Sequence, residues 1–250
     1  MIRRMLYAAL ILAAPAAHAG HTSMKSSGST MMKSATFTVR IENISTPTTL
    51  RSKNGETAPA PNSPGLWVVH TKPARLFKVG KPDLGWGLEG QAEDGNPAML
   101  AEHCQHHEGV VASGVFTTPV GDDEPGPALP GKKYEFPFTA EPGQRLSFTT
   151  MFGQSNDLFL APGEMGIALF DAKGKPVSGD ITSRLELWDA GTEVNQEPGF
   201  GPDQAPRQSG PNTGASEKKP VGKVKDGFTY PKISDVLRVT LMASETMAQH

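Results

Sequence analysis

Two short acidic segments carry the side chains best suited to bind a metal ion. Asp157 lies in the first, Ser-Asn-Asp-Leu-Phe, and Asp189 and Glu193 stand four residues apart in the second, with Gly191 between them. Glycine permits a tight backbone path, which lets both carboxylates of the second segment face one point. Ca²⁺ prefers such hard oxygen ligands and completes its shell with backbone carbonyls and water. On spacing alone, ordinary turn and capping roles remain the commoner use of these residues.

A second segment, residues 102–108 (EHCQHHE), holds three histidines and the chain's single cysteine, Cys104. Imidazole and thiolate are ligands for zinc and copper. The spacing differs from that of structural zinc pairs, and ligands adjacent in sequence seldom converge on one ion. We therefore favour a polar helix end and loop, with Cys104 partly buried.

The composition of the chain and the motifs that it lacks exclude several classes of function. The chain of 250 residues has 24 Lys+Arg and 26 Asp+Glu, a formal net charge of −2, which argues against nucleic-acid binding because that needs a basic surplus. One cysteine excludes an internal disulfide framework and a cysteine-only zinc site. The sequence has no His-Glu-x-x-His, no phosphate-binding Gly-x-x-x-x-Gly-Lys-Ser/Thr and no Gly-x-Ser-x-Gly. We expect a protein that is not an enzyme.

The amino terminus is typical of a secretory signal. Arg3 and Arg4 precede an apolar run, residues 6–17, and Ala17-His18-Ala19 fits the small-x-small cleavage rule. A run of about 12 residues is too short for the roughly 20 that span a bilayer. We predict a signal peptide at 1–19, cleavage before Gly20, no transmembrane anchor after cleavage, and a secreted or periplasmic location.

Residues 20–34 (GHTSMKSSGSTMMKS) have the composition of a flexible linker. His21 and three methionines in it are also soft metal ligands. Together with the histidine and cysteine segment at 102–108, they support an alternative function, a periplasmic protein that binds soft metal such as copper.

From residue 35 the chain reads as one β-rich domain. Phe37, Val39 and Ile41 alternate with polar residues, the period-2 pattern of a half-buried strand. Further strands are predicted at 66–70, 110–117, 146–152, 165–171, 181–188 and 235–242, one helix at 97–103 and a long loop at 191–229. We predict an all-β fold, an antiparallel β-sandwich of about eight strands with long loops, as a domain at 35–242 followed by a frayed tail at 243–250.

The acidic segments also resemble a known family. Residues 155–159 and 188–193 (WDAGTE) are similar to the Ser-Pro-Asp-Trp and Trp-Asp-Ala-Gly-Thr-Asp motifs of the spondin domain, the amino-terminal module of F-spondin and mindin. Three other stretches look like single-domain bacterial members: SPGLWVVH at 63–70, QAEDGNP at 91–97 and EPGFGPDQAPRQSGPNTG at 197–214. The resemblance covers residues 35–242.

The resemblance implies a C2-like β-sandwich that binds one Ca²⁺ through Asp157, Asp189 and Glu193. It also implies adhesion or recognition of a protein or glycan ligand at the cell envelope. At position 193 the animal motif has Asp, and the longer Glu side chain can still coordinate calcium. The animal modules carry cysteines and thrombospondin-type repeats, whereas this chain has one cysteine, so their roles in matrix adhesion and axon guidance do not transfer intact.

Overall fold

A computed structural model describes residues 34–245 of the chain. The predicted signal peptide at 1–19, all of the predicted linker at 20–34 except Ser34, and residues 246–250 of the predicted tail lie outside the described residues. No helix in the described part is both long and apolar enough to cross a membrane.

The described chain is built mainly from β-strands. They are β1 (Ala35–Asn43), β2 (Leu50–Arg51), β3 (Thr57–Ala58), β4 (Asn62–His70), β5 (Val110–Phe116), β6 (Lys133–Ala140), β7 (Arg145–Phe152), β8 (Leu158–Pro162), β9 (Ile167–Ala168), β10 (Gly179–Asp180), β11 (Leu185–Asp189), β12 (Gly222–Lys223) and β13 (Leu237–Glu245). Two helices, α1 (Leu88–Glu93) and α2 (Ala98–Gln105), lie between β4 and β5, and short 3-10 turns occur at Thr182–Arg184 and Ile233–Asp235.

Two antiparallel sheets make up the architecture, which confirms the predicted all-β sandwich. The four-stranded sheet has the order β10-β13-β1-β6. The larger sheet has the order β12-β11-β8-β7-β4-β5, with β9 also paired to β7. A separate small ribbon pairs β2 with β3. Sequence-distant strands are neighbours in both sheets, so the loops that join them collect at the sandwich ends.

The main core lies on the inner face of the four-stranded sheet. β1 buries every second residue, as its alternating sequence predicts. Phe37 stacks on Phe138 of β6, with ring centroids 5.5 Å apart, and meets Phe170 edge-on at the same distance. Each such buried side chain contributes about 1.5–3 kcal/mol relative to an exposed one, so this aromatic layer is a principal source of stability.

A second core covers the outer face of the larger sheet. Leu88 and Ala92 of α1 and Leu100 and Cys104 of α2 pack with residues of β4, β8 and β11. The middle of the larger sheet is therefore buried on both faces, and all five residues of β8 are buried. A strand of this kind is a continuous apolar run without alternation, which is why β8 was not predicted.

The other predicted elements agree in part with the structure. The strands at 66–70, 110–117 and 146–152 correspond to β4, β5 and β7, and the helix at 97–103 corresponds to α2. Only two residues of the strand predicted at 165–171 are in β9, and the strand predicted at 181–188 begins with a 3-10 turn. β6 and α1 were not predicted.

The carboxyl-terminal boundary of the domain was placed too early. β13 continues to Glu245, and Ala243 and Ser244 pair in register with Phe37 and Thr36 of β1. The predicted frayed tail is therefore wrong for its first three residues, because pairing along the whole of β1 extends the strand. The predicted loop at 191–229 contains β12 and is packed onto the domain, with Gln204 fully buried.

Candidate functional site

Two of the predicted ligands lie side by side at one end of the larger sheet. Asp157 immediately precedes β8, Asp189 is the last residue of β11, and the antiparallel register places Asp189 opposite Leu158. Asp157 is completely buried. Burial, and secondarily the nearby charge of Asp189, raise the pKa of the Asp157 carboxyl to about 7.

One oxygen of Asp157 holds the loop that follows β11. Its Oδ2 atom accepts hydrogen bonds from the backbone N–H of Thr192 at 2.7 Å and of Glu193 at 3.1 Å, and from the Thr192 hydroxyl at 3.3 Å. The other oxygen, Oδ1, is buried and has no hydrogen-bond partner among the described residues. Asp157 thus combines a capping role with one free, water-excluded oxygen.

Asp189 and Glu193 have all four carboxylate oxygens engaged in hydrogen bonds. Asp189 Oδ1 accepts from the Gly191 N–H at 2.8 Å, and Oδ2 accepts from the Asn195 amide at 2.9 Å. Glu193, only 3% exposed, accepts from the Gly214 N–H at 2.8 Å and from the Asn156 amide at 3.3 Å. Burial raises the pKa of both carboxyls.

The site also contains a fourth carboxylate, which was not predicted from the sequence. Glu93, the last residue of α1, is 3% exposed, and neither of its oxygens has a hydrogen-bond partner in the described chain. Burial raises its pKa to about 8; the charges of Glu193, Glu89 and Asp157 add to the rise, and the Thr192 side chain partly offsets it. The only signal in the sequence was the QAEDGNP segment at 91–97.

These four residues, Glu93, Asp157, Asp189 and Glu193, are called the carboxylate cluster below. None of them takes part in an ion pair within residues 34–245. The charges of Asp189 and Asp157 raise the pKa of Lys219, but its ammonium pairs with Glu217 at 2.5 Å. The cluster therefore gathers carboxyl groups in a poorly solvated place without a paired cation, and the pKa of each is raised.

The carboxylate cluster is not arranged as a finished coordination shell. Across the described ranges, no group of three or more His, Cys, Asp or Glu side chains has the geometry to hold a metal ion. The reason is visible in the hydrogen bonds, since both oxygens of Asp189 are engaged by the loop after β11 and those of Glu193 by Gly214 and Asn156. Beside this loop, the buried oxygens left without partners are Asp157 Oδ1, both Glu93 oxygens and Asn195 Oδ1.

Two glycines let the loop approach the cluster closely. Gly191 has φ +71°, and a Cβ there would lie 2.4 Å from the Lys219 carbonyl oxygen. The tight path inferred from the sequence is thus present. A Cβ on Gly214 would lie 2.3 Å from the Glu193 carboxylate, so the Glu193 position depends on glycine as well.

The histidine and cysteine segment separates into two parts. Cys104 is fully buried in the core under α2, and burial raises the pKa of its thiol to about 12. The expectation of a partly buried Cys104 was therefore wrong in degree. His103 and His107 lie instead beside Trp86, in a solvent-open cleft. Burial first, then the neighbouring His107, Arg75 and His106, lower the pKa of His103.

No protein-family model matches the chain, and a search of the curated proteins finds no match.

Proposed function

We propose that the protein is an exported, non-enzymatic β-sandwich that binds one Ca²⁺ at the carboxylate cluster and serves adhesion or ligand recognition at the cell envelope. The observation that supports it most strongly is Asp157, a fully buried carboxylate with one unpartnered oxygen beside a second aspartate. An unpaired buried charge costs several kcal/mol. A cation between these groups would remove that cost.

Calcium fits the chemistry of the donors better than a transition metal does. The cluster contains only oxygen donors, and the unpartnered ones come from a carboxylate before β8, a carboxylate at the end of α1 and the amide of Asn195. Ca²⁺ takes six to eight oxygens in flexible geometry, whereas Mg²⁺ demands a near-ideal octahedron. When bound, the ion supplies positive charge, and this chain's loop supplies the backbone that orients the ligands.

The burial of the cluster supports a structural ion rather than a catalytic one. Asp157, Glu193 and Glu93 are 0%, 3% and 3% exposed, which leaves little room for a substrate to reach them. The same loop carries Val194, which is 45% exposed directly after Glu193. An ion that fixes this loop would therefore fix the surface beside it, and loops on a rigid scaffold are where recognition residues concentrate.

The spondin-like segments are consistent with this assignment. Residues 155–159 and 188–193 come together at one end of the larger sheet, with Asp189 in register with Leu158. The third spondin-like stretch, 197–214, contacts them through Gln204, whose amide donates to Asn156 Oδ1 at 3.0 Å. Segments distant in sequence but similar to one family thus share one site, and we extend the proposed ligand set by Glu93.

Calorimetric titration of metal-stripped protein with Ca²⁺ tests the proposal. Asp157→Asn keeps the shape of the side chain and removes one charge, so calcium affinity should fall at least tenfold. Asp171→Asn is the matched control, because Asp171 also caps backbone N–H groups, of Lys173 and Lys175, but lies on a different exposed turn. Equal affinity of Asp157→Asn and Asp171→Asn would overturn the proposed site.

A further inference from the structure

A pair of histidines lies outside the carboxylate cluster, at the end of α2. His103 belongs to the helix, and the His107 N–H donates to the Cys104 carbonyl at 3.1 Å, which keeps the chain curled past the helix end. Residues four apart on a helix share one face. The two imidazoles meet here with their Nε2 atoms in direct contact and ring centroids 4.3 Å apart.

Trp86 fixes the orientation of this pair from outside the helix. Its indole stacks on His103 with centroids 4.4 Å apart and an interplanar angle of 18°, and it contacts His107 at 5.5 Å. The three rings line an open cleft of about 360 Å³, to which Glu102 and His106 also contribute. A preformed pair that opens to solvent is accessible to an ion.

We propose that His103 and His107 form a binding site for a divalent transition-metal ion that favours imidazole, with Cu²⁺ the tightest binder. Both ligands would use Nε2, because these are the two atoms that already face each other. In the metal-free pair one Nε2 must carry the proton and the other must accept it. Binding moves that proton to Nδ1 of the same ring, which frees both Nε2 lone pairs without loss of a proton.

The geometry of the pair suits this chemistry with one adjustment. With metal–nitrogen bonds of about 2.0–2.1 Å, two nitrogens bound side by side lie about 3 Å apart. The two Nε2 atoms lie closer together than an ordinary hydrogen bond, so the two rings must move apart slightly when an ion enters between them. Two protein ligands leave positions for water and for the exposed Glu102 carboxylate at the rim. Copper stands highest among the common divalent ions in affinity for such nitrogen ligands.

This site is chemically distinct from the carboxylate cluster. Its ligands are borderline nitrogens, whereas the cluster has hard oxygens that suit calcium. Cys104 is not part of it, since its thiol is buried on the other side of α2 among Leu88, Ala92 and Leu100. The proposal thus stands whether or not the cluster binds calcium.

Cu²⁺ is titrated into the metal-free full chain while tryptophan fluorescence is recorded, which measures binding at the histidine pair. Cu²⁺ quenches nearby indole emission, so binding beside Trp86 should give saturable quenching at one equivalent. His103→Gln and His107→Gln should each weaken the binding that causes this quenching at least tenfold. His106→Gln is the matched control, because His106 lines the same cleft without facing another ring nitrogen, and should change affinity less than threefold.

A variant of Trp86 separates the fluorescence signal from Cu²⁺ binding. Trp86→Phe should remove the saturable quenching while calorimetry still detects one Cu²⁺ bound. Far-UV circular dichroism of every variant checks that the fold is retained. Quenching that is unchanged in His103→Gln, or that falls as much in His106→Gln as in His103→Gln, would overturn the paired site and indicate scattered surface binding.

Discussion

The Asp157 carboxylate accepts a hydrogen bond from the backbone N–H of Thr192, 35 residues later in the sequence, with 2.7 Å between Oδ2 and the nitrogen. This contact ties the start of β8 to the loop after β11, and it leaves Asp157 Oδ1 buried without a partner. One side chain therefore both closes the loop and supplies a buried oxygen without a partner. We base the proposed calcium site on this double role of Asp157.

The Glu93→Gln substitution should separate two effects of Glu93, the cost of its burial in the metal-free protein and its contribution to calcium binding. Glu93 is 3% exposed, and its pKa is raised to about 8, so ionisation in the metal-free fold is costly at neutral pH. Each unit of pKa shift corresponds to about 1.4 kcal/mol, so the neutral glutamine should raise metal-free stability by at least about 1 kcal/mol. Calcium affinity should fall. Urea unfolding and calcium calorimetry measure the two effects; lower metal-free stability with unchanged affinity would remove Glu93 from the ligand set.

The Gly214→Ala substitution should weaken calcium binding without changing charge. A Cβ at this position would lie 2.3 Å from the Glu193 carboxylate and must displace it. We expect about a tenfold loss of affinity by calorimetry. Gly210→Ala is the control within the same loop, because its added Cβ meets no atom within 4 Å. Equal affinities of the two variants would show that the Glu193 position is unimportant for the ion.

The buried His70 should make the fold acid-sensitive. Its Nε2 contacts the Ser147 hydroxyl at 2.9 Å, and burial lowers its pKa below the ordinary 6.5. As pH falls below 6.5, the unfolded chain binds a proton that the folded chain does not, so stability is lost, by at most about 1.4 kcal/mol per pH unit. His70→Gln keeps a polar group and does not titrate.

Urea unfolding of wild type and His70→Gln between pH 5 and 8 checks this sign. The free-energy difference between the two proteins should be constant above pH 7 and should shift against the wild type as the pH drops. A difference that is the same at pH 5 and pH 8 would mean that His70 titrates equally in the folded and unfolded chains.

Cys104 should be chemically inert in the folded protein. It is fully buried, and its thiol pKa is raised to about 12, so almost no thiolate is present at pH 8. The thiolate is the reactive form of cysteine. A thiol-reactive disulfide reagent should therefore label no cysteine in the native protein and one in urea. Rapid native labelling would place Cys104 at the surface, with His103 and His107.

The parts of this structure that the sequence predicted are those with local causes. β1 alternates because only one of its faces is buried, and the Asp189 turn is specified by its own glycine, Gly191. β6 alternates in the same way and was missed nonetheless, whereas β8 and Glu93 depend on tertiary packing. β8 is buried on both faces and shows no alternation, and Glu93 becomes an unpartnered carboxylate only because α1 packs over β7 and β8.

The histidine pair also could not be predicted as a binding site from the sequence alone. The spacing of His103 and His107 is visible in the sequence, but an isolated i, i+4 pair is common on helix surfaces. Trp86, which orders both rings, arrives from a segment 17 residues earlier than His103. Only the packing of that segment on α2 distinguishes a paired site from an exposed polar helix end.

Thermal melting of the metal-stripped full chain, with and without millimolar Ca²⁺, tests the central claim most directly. At 100 times the dissociation constant, binding to the folded state alone adds about 2.7 kcal/mol, which corresponds to a rise in Tm of about 5–10 °C for a domain of this size. The account predicts this rise for wild type, its reversal by a calcium chelator, and its loss in Asp157→Asn but not in Asp171→Asn. A wild-type Tm that does not move with calcium would contradict it.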